Sequence, residues 1–120
     1  MFDKIQLPLF EQFKQSEEYY SVAFHESVHS TMKTSRCNRQ EDRKGKVVSF
    51  GSEEYSKEEL VGEVGSAQLM NIVGIETTKS FRNSTAYIQS WLKVLRNDNK
   101  FIVSASSKAE KAVNYILGIQ

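Results

Sequence analysis

The sequence predicts an α+β domain, mainly helical, with a small strand element at its N-terminus. Apolar residues recur at helical spacing in four segments between residues 17 and 118, and residues 3–10 alternate polar and apolar around the only proline. A chain of 120 residues with 39% hydrophobic content also suits one core rather than two, so residues 1–120 read as a single domain.

The N-terminal segment, Asp3-Lys4-Ile5-Gln6-Leu7-Pro8-Leu9-Phe10, reads as a short strand. Pro8 lacks an N–H and confines the strand to an edge or ends it. Phe10, Phe13 and Phe2 are its expected anchors to the core.

The first helix is expected from Glu17 to Met32, capped by Ser16, with Glu17 and Glu18 in the first turn where the helix dipole favours anions. Tyr20, Phe24, Val28 and Thr31 form its apolar stripe. His25, His29 and Met32 lie on the neighbouring stripe, so both histidines border the buried face.

Residues 33–50 lack periodicity and carry Lys33, Arg36, Arg39, Arg43, Lys44 and Lys46 against Glu41 and Asp42. A charge run of this kind reads as a solvated loop, or as a basic lip for an acidic or nucleic-acid-bound substrate. Val47-Val48-Ser49-Phe50 before Gly51 has the composition of a short strand.

Ser56-Lys57-Glu58-Glu59 satisfies the S-x-x-E capping box, which predicts a second helix from Ser56 to Val73, stopped by Gly74. Leu60, Val61, Val64, Ala67 and Leu69 supply its apolar side. Gly62, Gly65, Ser66 and Ala67 are small enough to admit another helix closely, despite a glycine cost of about 1 kcal/mol relative to alanine. Glu59 and Glu63, one turn apart among these small residues, are therefore placed to face the histidine helix.

A third helix, capped at Asn83 or Ser84, carries Ile88, Trp91, Leu92 and Leu95. Asn97-Asp98-Asn99 forms a turn, and a fourth helix runs through Ile102, Ala105, Ala109, Ala112, Val113 and Ile116 to Gly118. These stripes read as core.

Composition narrows the function classes. Net charge is +1, which gives no global attraction to nucleic acid or membrane. The single cysteine, Cys37, excludes an internal disulfide and fits a reducing compartment. The first residues contain no basic n-region followed by an apolar core, and no apolar run approaches the ~20 residues of a membrane span. A cytoplasmic domain without membrane contact is expected.

The chemistry concentrates in His25-Glu26-Ser27-Val28-His29, an H-E-x-x-H sequence holding both histidines of the chain. Positions i and i+4 share a helix face, so two imidazoles can chelate one Zn²⁺ while the glutamate turns toward the ion's water. A third ligand is needed. No third histidine exists, which leaves a carboxylate or Cys37. Glu59 is the first candidate and Glu63 the second; the other of the pair can hold a ligand histidine by its far ring nitrogen. Glu53, Glu54 and Glu58 rank lower because their neighbours look solvated. In this scheme Zn²⁺ acidifies a water, Glu26 takes its proton as general base, and Glu26 returns it to the leaving amine. Tyr55 and Tyr87 are the available tyrosines for stabilising an oxyanion.

Ile5-Gln6-Leu7-Pro8, Phe13, Tyr19-Tyr20, the H-E-x-x-H run, Ser35-Arg36-Cys37-Asn38-Arg39, Phe50-Gly51-Ser52-Glu53, Tyr55, Glu58 to Glu63, Ala86-Tyr87-Ile88, Ser90-Trp91-Leu92 and Ala105 to Ala112 occur in this order. Together they resemble the metallopeptidase half of ArdC-type antirestriction proteins across nearly the whole chain. The resemblance implies a zincin-like α+β domain, with His25 and His29 as metal ligands, Glu26 as the catalytic glutamate and a later helical glutamate, Glu59, as third ligand. It also implies Zn²⁺ as cofactor, a protein or peptide substrate, and contact with DNA or a restriction enzyme in mobile-element or phage defence. The family's N-terminal single-stranded-DNA-binding domain is expected to be absent. Three positions differ from the family pattern: Ser30-Thr31-Met32 stands where Trp-Thr-Gly is usual, and Cys37 where leucine is usual. A non-catalytic binding module with structural zinc, or a regulatory protease resembling ImmA/IrrE peptidases, are the alternative readings.

Overall fold

The computed structural model describes residues 4–33, 35–39 and 52–119. A short 3-10 turn, Phe10–Gln12, precedes four helices: α1 (Ser16–Ser30), α2 (Glu53–Ile72), α3 (Thr78–Val94) and α4 (Asn99–Leu117). Every regular element among the described residues is helical. The expected α+β class with an N-terminal strand is therefore corrected to an all-helical fold. Residues 4–9 are irregular, because alternation alone does not make a strand: it needs a partner's ladder, and no described residue supplies one. Phe10 and Phe13 pack edge-on against Tyr19 of α1, at centroid distances of 5.1 and 5.6 Å. The segment is thus pinned to α1 by aromatic contacts. The second expected strand, 47–50, and Phe2 lie outside the described residues.

Helix boundaries follow local hydrogen bonding. Ser52 caps α2 by accepting from the Tyr55 N–H, with Glu53 and Glu54 in the first turn. The helix thus starts almost one turn before the expected cap at Ser56, which is instead fully buried. Thr77 and Ser80 form a reciprocal capping box at the start of α3, ahead of Asn83 and Ser84. Asp98 caps α4, and Gly118 ends it in the left-handed region at φ 72°. Arg96 and Asn97, at φ 61° and 54°, turn the chain between α3 and α4.

Helix α2 is the hub, packing against α1, α3 and α4. The core gathers Val28 of α1, Leu60, Val61, Val64 and Leu69 of α2, Leu95 after α3, and Ala105, Ala109, Ala112 and Val113 of α4. Phe24, Ile88, Trp91, Leu92, Phe101 and Ile102 close around it. Alanines at 105, 109 and 112 bring α4 near α2, and burial at about 25 cal/mol per Å² of apolar surface drives the assembly. No described helix is long and apolar enough to cross a membrane.

Candidate metal centre

The α1–α2 contact is built from small residues, and that closeness creates the site. A Cβ on Gly62 would lie 2.8 Å from Cε1 of both His25 and His29; one on Gly65 would lie 2.7 Å from Cγ2 of Val28. Farther along, the Ser66 hydroxyl donates to the Ser21 carbonyl at 2.7 Å. Glycine's lack of a side chain is thus used twice, once under the imidazoles and once under the core valine.

His25 and His29, one turn apart on α1, stand edge to face, with ring centroids 4.3 Å apart and planes at 85°. Their Nε2 atoms converge to 2.7 Å. Glu59 of α2 meets them, with Oε2 3.1 Å from His25 Nε2 and Oε1 3.1 Å from His29 Nε2. One ligand atom from each of the three lies within 4.8 Å of the other two.

The far ring nitrogens are also engaged. His29 Nδ1 lies 2.8 Å from Oε2 of Glu58. Arg39 grips the same carboxylate with both Nε and Nη2, at 2.9 Å each, while Nη1 donates to the Thr31 hydroxyl at 2.7 Å and Nη2 to the Val28 carbonyl at 2.8 Å. His25 Nδ1 lies 3.0 Å from Oε1 of Glu63. That approach is an ion-pair distance without hydrogen-bond alignment, and Nδ1 stays buried and unsatisfied.

Charge balance follows. Burial works to depress the His25 pKa, but the Glu59 and Glu63 carboxylates outweigh it and raise it to about 10. His29 is also raised, with burial again opposed by Glu58 and Glu59. Burial works to raise Glu59, yet the two histidines pull it down to about 2. Glu58 is likewise lowered, its burial overcome by Arg39 and His29. The carboxylates of the cluster therefore favour positive charge on the two imidazoles.

The donor set fits a divalent metal on chemical grounds. When each Nδ1–H faces a carboxylate, each Nε2 presents a lone pair. Two such lone pairs 2.7 Å apart, with a carboxylate 3.1 Å from each, repel unless a cation lies among them, either a proton on one Nε2 or a metal ion in its place. Two imidazole nitrogens and one carboxylate are the ligands of His₂Glu catalytic sites.

Glu26 lies between two cavities. One, of about 560 Å³, is lined by Lys4, Ile5, Gln6, Glu26, His29 and Ser30. The other, of about 470 Å³, is lined on the α1 side by Phe13, His25 and Glu26 and on the α3 side by Ser80, Ser84 and Tyr87. Tyr55 packs against Trp91 at 5.6 Å; burial and the charges of Glu59 and Glu26 raise its pKa. Tyr87 is exposed at the second cavity. Cys37 stands apart, its Sγ 3.8 Å from the Lys111 carbonyl of α4.

Of the residues singled out from sequence, His25, His29, Glu59 and Glu63 come together, and Glu26 and Tyr87 share a cavity with His25 and Glu63. Sequence reasoning missed Glu58 and Arg39. The neighbours of Glu58 suggest solvent and Arg39 falls in a run of charges, yet the arginine is 5% exposed. The S-x-x-E box that seemed to start the helix at Ser56 masked the true signal: with the helix beginning at Glu53, Glu58 and Glu59 both fall in its second turn.

A family model described as zincin-like metallopeptidase (MPTase-PolyVal) matches residues 1–108. A DNA primase TraC from Escherichia coli is 36% identical over 118 residues, which cover 98% of this chain and 10% of that protein. The uncharacterized protein y4eC of Sinorhizobium fredii is 32% identical over 114 residues, covering 95% of this chain and 35% of its own length. The Mn(II)-bound crystal structure of the antirestriction ArdC protein from plasmid R388 superposes with a TM-score of 0.66 at 32% identity, covering 93% of this chain and 39% of that one. The chain thus spans between 10% and 39% of the length of these three relatives.

Proposed function

The chain belongs to the zincin-like metallopeptidase family, and from that premise we propose that it is a zinc-dependent peptidase domain of an antirestriction protein, with His25, His29 and Glu59 as metal ligands and Glu26 as general base. The observation that carries the reading is the convergence of those three ligands beside a glutamate that lines both flanking cavities. Likeness to an antirestriction protein crystallised with Mn(II) supports a divalent ion and the biological setting.

When bound, zinc supplies Lewis acidity, polarising a peptide carbonyl and acidifying a water. The remaining work belongs to the chain. Glu26 would take a proton from the attacking water, whose oxygen bonds to the carbonyl carbon, and would deliver that proton to the departing nitrogen as the C–N bond breaks, leaving a carboxylate and an amine. The two cavities on either side of Glu26 receive the substrate on each side of the scissile bond. Tyr87, at the mouth of the second cavity, and Tyr55, close enough to feel the charges of Glu59 and Glu26, are the hydroxyls for stabilising charge on the carbonyl oxygen. Glu63 backs His25 across its far nitrogen. The substrate is a protein or peptide, in a setting that includes DNA and restriction enzymes.

Metal analysis of the purified domain together with cleavage of a peptide library tests this reading. Near-stoichiometric zinc with metal-dependent cleavage is expected. A protein that takes up no zinc overturns the metal assignment, and zinc without cleavage overturns the peptidase assignment.

A further inference from the structure

We propose that Arg39 and Glu58 are positioning residues for the metal centre, a buried pair that fixes the His29 ring with Nδ1–H bound and Nε2 turned toward Glu59. The proposal rests on the metal-centre reading above.

Glu58 is outside the convergent donor set, and both of its oxygens are taken. Oε1 accepts from Arg39 Nε; Oε2 accepts from Arg39 Nη2 and faces His29 Nδ1. The side chains of Arg39 and Glu58 are only 6% and 11% exposed. A buried ion pair is a poor way to gain stability, since desolvation consumes most of the attraction. Its geometry points to another purpose. The carboxylate is held rigid by a planar fork and presents one lone pair to one histidine.

The fork is held in turn. Asn38, at φ 56°, turns the chain in the left-handed region that asparagine tolerates, and Arg39 follows it into the interior. Its remaining donors bind the Val28 carbonyl and the Thr31 hydroxyl at the C-terminal end of α1. One guanidinium therefore joins the end of the histidine helix, the 35–39 turn and the second turn of α2. His25 has no equivalent, because its Nδ1 meets Glu63 out of line. The centre is asymmetric: the carboxylate behind His29 is gripped by a guanidinium fork, and among the described residues the one behind His25 is not.

The test measures zinc affinity, by competition with a chromophoric chelator, for the native chain and for Glu58→Gln and Arg39→Lys. Circular dichroism of each metal-free protein and the absorption bands of each cobalt-substituted protein are recorded alongside. Lysine keeps the charge but cannot make the two-pronged contact. Both variants are expected to keep helical spectra, bind zinc about 10- to 100-fold more weakly, and show shifted cobalt bands. The imidazole ¹⁵N spectrum of the native zinc form should show His29 protonated at Nδ1, with that proton moved upfield in Glu58→Gln. If Arg39→Lys does not fold, Glu58→Gln decides alone, because it retains an acceptor at the same place. Folded variants that bind zinc as tightly as the native chain, with unchanged cobalt bands, overturn the positioning role alone. A native chain that binds no zinc overturns the metal reading as well.

Discussion

Gly62 lies directly across from His29, so close that a Cβ at position 62 would fall 2.8 Å from the histidine's Cε1 and 2.9 Å from its Nε2. Two opposed effects meet there. Alanine would favour the helix by about 1 kcal/mol over glycine, while the methyl group would drive both imidazoles off their present positions. Gly62→Ala is therefore expected to weaken zinc binding by about tenfold or more, on the order of 1.4 kcal/mol, without unfolding the metal-free chain. Calorimetric titration with zinc checks this, and unchanged affinity would show that the rings have room to move.

Gly65 repeats the arrangement away from the histidines, under Val28. Gly65→Ala should destabilise the fold by about 1–3 kcal/mol through overpacking. Val28→Ala vacates the contested space. In the double variant the new methyl fills part of that void, so denaturant melts should give a cost smaller than the sum of the two single changes. Strict additivity would remove the contact from the explanation.

Glu26→Gln keeps shape and removes the base. Peptide hydrolysis is expected to fall about 10²- to 10⁴-fold, with zinc content unchanged because Glu26 is outside the convergent donor set. Kinetics on a cleaved peptide, paired with metal analysis, separate the two effects. Cleavage at the native rate would exclude Glu26 as the base.

Glu59 and Glu63 are one turn apart but touch different nitrogens: Glu59 meets both Nε2 atoms, and Glu63 meets only His25 Nδ1. Glu59→Gln should therefore cost far more zinc affinity than Glu63→Gln. The reverse order in the same titration would exchange their roles.

Removal of zinc should lower thermal stability. An ion bound only by the folded chain contributes about 2.7 kcal/mol at a free concentration 100 times its dissociation constant. A chelator is expected to lower the melting temperature and excess zinc to restore it. A melting curve indifferent to both would mean that the ion is not held by the folded state.

The sequence located all four helices, most clearly α3 and α4, whose apolar residues recur at 3.6-residue spacing, with Gly118 ending α4. It misread residues 3–10, where alternation was visible but the need for a pairing partner was not. The start of α2 went wrong for a local reason: two S-x-x-x starts lie four residues apart, and Ser52 takes the cap while Ser56 is buried inside the helix. The convergence of His25, His29 and Glu59 was legible because the two histidines are one helical turn apart and Glu59 lies among small residues. Arg39 and Glu58 were not legible. They are separated by 19 residues in sequence, and a charge in a run of charges gives no sign that folding will bury it.

The hub position of α2 has a consequence for how such a domain diversifies. Glu58, Glu59, Gly62 and Glu63 serve the histidines, Gly65 and Ser66 set the approach of α1, and Leu60, Val61, Val64 and Leu69 fill the core. Every residue from 58 to 66 is committed, so a substitution there disturbs the histidines, the helix approach or the core. On α3, Asn83 and Tyr87 are exposed at the cavity beside Glu26 and carry none of the core. New preferences can accumulate on that helix while the machinery one helix away stays still.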